Sequence, residues 1–421
     1  MALGKIGLFL GLILLFADFS QAWIPRPRPH PRPKPHPRPI IHYSPFVGTR
    51  GSHFIVYGKP FLFNGFNSYW MMQVATQPSE RSKVSQVFRD ASAAGLTVCR
   101  TWAFADGGDY QALQKTPGVY DEAVFQGLDF VVSEAKKYGI YLILSLVNNW
   151  NDYGGKHQYV QWAQEAGEKL DNDDDFYTNP VIKQYYKNHV TKVLTRFNTI
   201  TKLTYRDDPT IMAWELMNEP RCDADNSGKM VNGWIQEMAR FVKSLDRKHM
   251  VENGMEGFYG EKNKEYNPGS YLYGTDFINN NLITEIDFTT IHAYPDAWLN
   301  DKSDSEQMTF MKKWLWSHWI DSTRIIRKPL VLSEFGLSRK NAGHDDVNVR
   351  NTYMVTIYRM IYDFARRSYA TMGGSLVWQL MADGMDPWDD GYAIFLSQNS
   401  STAGIMARHS WGMKTLSYHM F

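Results

Sequence analysis

The sequence predicts an α/β protein of the (β/α)8 barrel class, a TIM barrel with long loops after its strands. Three observations lead there. From about residue 50 onward, eight short apolar runs alternate with longer amphipathic stretches, the pattern of a parallel sheet covered by helices. About 360 residues are available for these units, which suits eight strand–helix pairs with extended loops. The apolar runs also end in polar and aromatic residues, and a barrel would gather these at one face. The competing architecture, a doubly wound dinucleotide-binding sheet, lacks its glycine-rich turn after the first apolar run.

In chain order, residues 1–22 read as a secretory signal peptide. Lys5 precedes an apolar stretch from Ile6 to Phe16, and the small residues Ser20 and Ala22 stand where cleavage would occur. Residues 23–43 form an arm with proline at alternate positions, "PRPRPHPRPKPHPRP". Proline fixes φ and removes amide donors, so the expected state is extended polyproline II. Residues 44–421 form the barrel domain. Its expected strands are 61–67, 96–102, 140–147, 210–217, 249–255, 287–294, 329–336 and 374–381, each apolar and bounded by turn residues. Helices are expected over 80–94 after Pro78-Ser79, 122–138, 180–197 after the cap-forming Asn179, 228–245, 305–320 and 347–367.

Composition narrows the function classes. Net charge is +1, and eight of the 45 Lys and Arg residues lie in the first sixty positions against one acid, Asp18. The body is therefore mildly acidic, which argues against nucleic acid as a partner. The basic arm is either a weak electrostatic tether to acidic wall polymers or a solvated spacer. Beyond the leader there is no apolar run long enough to span a bilayer, so no membrane partner is expected. Cys99 and Cys222 leave one bridge or two buried thiols open, and they are too few for a cysteine zinc site. "NSS" at 399–401 makes Asn399 a glycosylation candidate. "DNDDD" at 171–175 does not match a calcium loop and reads as a solvated loop, while "HDD" at 344–346 reads as a helix start. No metal and no cofactor are expected, and the chain is expected to act as a secreted, extracellular monomer.

The strand ends carry the chemistry. "AWELMNEP" ends the fourth run with Asn218 and Glu219, and "PLVLSEFG" ends the seventh with Glu334. Two carboxyls facing each other suit glycosidic bond cleavage: one protonates the leaving oxygen and the other attacks the anomeric carbon or activates water. A gap of about 5–5.5 Å favours retention and about 6.5–9.5 Å inversion. Alone, Glu219 could equally cap the helix that follows Pro220, and Arg100 could be a structural ion-pair partner.

With "RTWAFADG" at 100–107, "LVNNWNDYGGKHQYVQW" at 146–162, "NEPRC" at 218–222 and "HAYPDAW" at 292–298, the chain resembles glycoside hydrolase family 5, of the plant and fungal endo-β-1,4-mannanase type, from about residue 44 to the end. The resemblance implies a retaining hydrolase acting on mannan, glucomannan and galactomannan, with Glu219 as acid/base and Glu334 as nucleophile. It implies that Arg100 and Tyr294 hydrogen-bond Glu334, that Asn218 contacts the sugar 2-hydroxyl, that His292 contacts Glu219 or the substrate, and that Trp378 lies under the sugar being cleaved. Trp102 and Trp150 become candidate stacking platforms. Asn148 and Asn149 stand where many relatives in the wider family have a histidine, so their contacts stay open. A β-1,4-glucanase, a mannan transglycosylase and a non-catalytic carbohydrate-binding wall protein are the alternatives.

Overall fold

The computed structural model describes residues 44–108, 111–341, 343–367 and 371–420. The expected signal peptide and proline-rich arm lie outside the described residues. Eight strands form one parallel sheet: β1 (Phe63–Asn67), β2 (Val98–Trp102), β3 (Tyr141–Ser145), β4 (Ile211–Glu215), β5 (Met250–Glu252), β6 (Thr289–Ala293), β7 (Leu330–Phe335) and β8 (Met372–Val377). They pair in the order β5-β4-β3-β2-β1-β8-β7-β6. The β5/β6 seam is bridged by Asp287 N–H to Val251 O at 2.8 Å and His292 N–H to Glu256 O at 2.9 Å, so the barrel is nearly closed. All eight strands expected from the sequence are present.

Each strand is followed by a helix that leads back to the next strand or, for the last, to the chain end, with shorter helices preceding some of them: α1 (Arg81–Ala93), α2 (Glu122–Tyr138), α3 (Pro180–Leu194), α4 (Lys229–Leu245), α5 (Phe277–Asn281), α6 (Asp304–Asp321), α7 (Val347–Ala365) and α8 (Ser400–His419). Their starts follow local chemistry. The Asp121, Asn179 and Asp346 side chains accept amide protons at the first turns of α2, α3 and α7, and Ser303 with Glu306 forms a capping box on α6. Asp346 thus confirms "HDD" as a helix start.

The barrel interior is layered. Phe63, Val98, Ile143, Ala213, Met250, Phe288, Val331 and Leu376 form a buried apolar floor. A small antiparallel sheet over 48–60 closes the barrel from below, with Phe54 seated 5.6 Å from the Phe63 ring and 5.2 Å from Phe288. Two residues further along their strands, and so on the same inner face, come Arg100, Ser145, Glu215, Glu252 and Thr290, all buried. The apolar floor therefore supports a polar layer directly under the barrel mouth.

Three features differ from the sequence reading. The 155–165 segment after β3 is helical, and so is α8, which the periodicity did not reveal. The buried positions of α8 are Thr402, Met406, His409, Ser410 and Met413, a small and partly polar face rather than an apolar stripe. The acidic stretch is not a solvated loop. Asp174 is buried, pairs with Lys156 and accepts the backbone amides of Asp223 at 2.7 Å and Ala224 at 2.9 Å. It braces the loop that carries Glu219, which explains why one of four nearby acids leaves water. Cys99 is buried between barrel and helices, Cys222 is buried against Met230, and both are free thiols. Among the described residues no helix is long and apolar enough to cross a membrane.

Candidate active site

Glu219 and Glu334 meet at the barrel mouth. Glu219 leaves the end of β4 with φ +52°, and its amide donates to Gly254 O at 2.8 Å. A non-glycine residue in that region costs energy, and the surrounding structure must impose it. Gly254 lies so close beneath that a Cβ there would stand 1.8 Å from Met217 O, so only glycine fits. Glu334 sits within β7, next to a register shift in the β7–β8 pairing. One oxygen from each carboxyl, together with a ring nitrogen of His292, lies in a set whose members are all within 4.8 Å of one another. That spacing lies on the short side of the two glycosidase geometries.

Every carboxyl oxygen in this pair has a donor. Arg100 Nη1–H donates to Glu334 Oε1 at 2.5 Å, and the Tyr294 hydroxyl donates to Oε2 at 2.7 Å. Trp150 Nε1–H donates to Glu219 Oε2 at 2.6 Å, and His292 Nδ1 lies 2.6 Å from Glu219 Oε1 and 3.5 Å from Glu334 Oε2.

The electrostatics differ from the simple expectation of a protonated Glu219 beside an ionised Glu334. Burial pushes Glu219 up, but the His292 hydrogen bond and charge, then Arg221 and Trp150, outweigh it and hold the carboxyl at about 2. Burial also raises Glu334, and Glu219 adds to this. His292 and Arg100 offset only part, leaving it above the ordinary carboxylate range. His292 is pulled down by burial and pushed up more strongly by Glu334 and Glu219. The shared hydrogen bond thus pulls the two groups apart, with the Glu219 carboxyl lowered and the His292 imidazole raised.

The other expected residues divide. Asn218 accepts from Arg100 Nη2 at 2.6 Å and donates to Asn148 Oδ1 at 2.9 Å, which leaves its second amide hydrogen. Asn149 turns away from the pair and accepts the Arg221 amide at 3.2 Å. Trp378 is partly exposed, lies parallel to Tyr69 at 5.6 Å and donates to Asp390 at 2.7 Å. Trp150 is 39% exposed, with the Arg221 guanidinium 4.9 Å from its ring centre. Trp102 does not fit the platform expectation. It is 5% exposed, with Tyr69 at 4.7 Å and Phe104 at 4.9 Å from its ring, so it buttresses Tyr69. Strand-end position alone could not tell a mouth-facing ring from one packed beneath it. Asn399 lies half-buried before α8, with its amide nitrogen donating to Phe395 O at 3.0 Å.

A family model described as "GH family 5 beta-mannosidase-like" matches residues 44–386. The chain belongs to glycoside hydrolase family 5. Mannan endo-1,4-beta-mannosidases 5 and 2 of Solanum lycopersicum are each 64% identical to it over 376 residues, 89% of this chain and 90% of theirs. Among solved structures, the endo-1,4-beta-mannanase of Rhizomucor miehei is 32% identical with a TM-score of 0.74, covering 88% of this chain and 99% of its own. The endo-beta-1,4-mannanase of Thermotoga petrophila is also 32% identical with a TM-score of 0.74, over 85% and 78%.

This family 5 hydrolase has site residues that sequence reasoning missed. Asn67 accepts from Arg100 at 3.1 Å. Glu215 accepts from Arg100 Nε at 2.5 Å and from Nη2 at 2.7 Å. Arg221 makes a two-pronged pair with Glu256 at 2.7 and 2.6 Å. Burial, then Glu219, push the Glu256 carboxyl up, and Arg221 offsets part, leaving it at about 7. A signal for Glu215 existed: it lies four residues before Glu219 on an apolar strand, two past the floor residue Ala213.

Proposed function

We propose that this family 5 hydrolase is an endo-acting β-mannanase that cleaves internal β-1,4-mannosidic bonds of mannan, glucomannan and galactomannan with net retention. The observation that carries the reading is the short carboxyl spacing across the mouth, set beside relatives named for mannan.

In the first step a Glu334 oxygen attacks the anomeric carbon as the bond to the leaving O4 breaks. Glu219 delivers a proton to that oxygen. The proton comes from the His292–Glu219 pair: as charge leaves Glu334 for the forming ester bond, the imidazolium loses its stabilising neighbour and hands its Nδ1 proton to Glu219. Arg100 and Tyr294 hold the attacking carboxylate ionised and oriented. The free amide hydrogen of Asn218 can meet the 2-hydroxyl, a bond that strengthens in the transition state. Trp378, backed by Tyr69, offers an aromatic face for the glycone.

In the second step ionised Glu219 removes a proton from water, the water oxygen attacks the anomeric carbon, and Glu334 leaves as carboxylate. A sugar hydroxyl can replace water, so transglycosylation belongs to the same proposal. The leader-like N terminus and the Asn399 sequon support secretion and a wall location. The basic arm is proposed as a weak tether to acidic wall polymers.

The test compares release of reducing ends from mannan, galactomannan, glucomannan and β-1,4-glucan by the wild type and Glu334→Ala. Mannan-type cleavage that vanishes in a folded Glu334→Ala protein is expected. Faster cleavage of the glucan, or near-normal turnover by the variant, would overturn the reading.

A further inference from the structure

Beneath the catalytic pair lies a second pair of carboxyls that the mechanism does not use. Glu215 on β4 and Glu252 on β5 are direct partners in the parallel ladder, and neither is exposed to solvent. Glu215 spends both oxygens on the Arg100 guanidinium. Glu252 divides its own. Its Oε2 accepts from Gly254 N–H at 2.5 Å and lies 3.2 Å from Thr290 Oγ1. Its Oε1 is buried, and among the described residues no protein donor reaches it. An ionised oxygen in that position would be an unsatisfied buried charge, which is costly. A protonated one has an acceptor at hand, because the Glu252 and Glu215 carboxyls are in hydrogen-bond contact.

We propose that Glu252 is a positioning residue that stays protonated in the working enzyme, donating to Glu215 through one oxygen and accepting from Gly254 through the other, and so sets the placement of both catalytic carboxyls at once. On one branch, Glu252 holds Glu215, Glu215 clamps two edges of Arg100, and Arg100 Nη1 reaches Glu334. On the other, Gly254 takes its amide to Glu252 and gives its carbonyl to the Glu219 amide at 2.8 Å, which holds Glu219 in its left-handed conformation. The charged and titratable groups facing Glu252 are Glu215 from β4 and Arg100 across the interior from β2, and Thr290 on β6 adds a hydroxyl. Burial, followed by Glu215, pushes the Glu252 acid well up, with Arg100 opposing. A proton there keeps three carboxyls from crowding one guanidinium. The inference rests on the catalytic roles given above for its functional meaning, but not for the protonation itself.

Two variants and one spectrum test it. Glutamine reproduces a neutral acid, since its NH2 can donate to Glu215 and its carbonyl can accept from Gly254. Glu252→Gln is expected to keep kcat within about threefold, with the acid limb of the pH profile unmoved. Glu252→Leu keeps the bulk and loses both bonds, so kcat should fall about 100-fold with little change in KM, as expected when catalytic groups are displaced by about 1 Å. The infrared difference spectrum of wild type minus Glu252→Gln at neutral pH should show the carbonyl stretch of one protonated carboxyl, whatever substrate the enzyme prefers. Absence of that band, or an acid limb shifted downward in a stable Glu252→Gln protein, would mean that Glu252 is ionised and would overturn the proposal. Wild-type kcat in Glu252→Leu would overturn the positioning role.

Discussion

His292 and Glu219 share a 2.6 Å hydrogen bond inside the barrel mouth, and the proposed mechanism draws the proton for the leaving sugar oxygen from this pair. The pair works only while that proton is present and while Glu334 is ionised. Glu334 lies above its ordinary 4.5 and His292 above its ordinary 6.5, so kcat/KM should be bell-shaped, falling on the acid side as Glu334 protonates and on the alkaline side as His292 loses its proton. The stability linkage has a matching sign. The raised His292 contributes stability fully below pH 6.5, and this is lost as pH rises through its folded value. A His292→Asn enzyme should lose the alkaline limb in its pH–rate profile along with most of its turnover. An unchanged alkaline limb would detach His292 from proton delivery.

Tyr294 donates its hydroxyl to Glu334 Oε2 at 2.7 Å, beside the Arg100 bond to Oε1. Tyr294→Phe removes a hydrogen bond to the ionised carboxylate, so the acid limb should move upward and kcat should fall by about 10- to 100-fold. Steady-state kinetics across pH would show both. A downward shift would contradict the assigned direction of the bond.

Arg100 is both the support of Glu334 and the counter-ion of buried Glu215. Arg100→Ala leaves Glu215 as an unpaired buried charge and should cost about 3–5 kcal/mol of stability. Arg100→Lys keeps the charge but loses the fork, so it should melt at a higher temperature than the alanine variant while remaining nearly inactive. Thermal melts of the two proteins, read beside their activities, check this.

Among the acids at 171–175, Asp174 is the buried one. Asp174→Asn should destabilise the fold by about 2–3 kcal/mol by leaving Lys156 without its partner. Asp171→Asn at the exposed start of the stretch should stay within about 0.5 kcal/mol of wild type. Chelator or added calcium should leave both melting temperatures unchanged. A calcium-dependent rise would point to a cation at this turn.

Much of this was legible in the residues. The eight strands could be read because each is a continuous apolar run, and Glu219 and Glu334 because they end two of those runs beside Asn218 and Phe335. Arg100, His292 and Tyr294 followed from the same logic, and the structure brings them to the two carboxyls. What stayed hidden depends on contacts between distant strands. Glu252 sits inside an apolar run, where one acid is no signal, and although Glu215 lies four residues before Glu219, only the barrel's register sets the two side by side under Arg100. Trp102 looked like a platform because sequence shows a strand-end ring but not that Tyr69 covers it. The ion pair between Asp174 and Lys156 joins the 155–165 helix to the short helical turn at 173–177, which no local pattern connects.

The most direct test is the anomeric configuration of the first sugar released from a β-1,4-mannan oligosaccharide, followed by proton NMR before mutarotation. Two carboxyls at this spacing, one attacking and one protonating, predict that the new reducing end appears first as the β-anomer. Initial appearance of the α-anomer would require water to attack directly from the opposite face, which would contradict a covalent intermediate on Glu334.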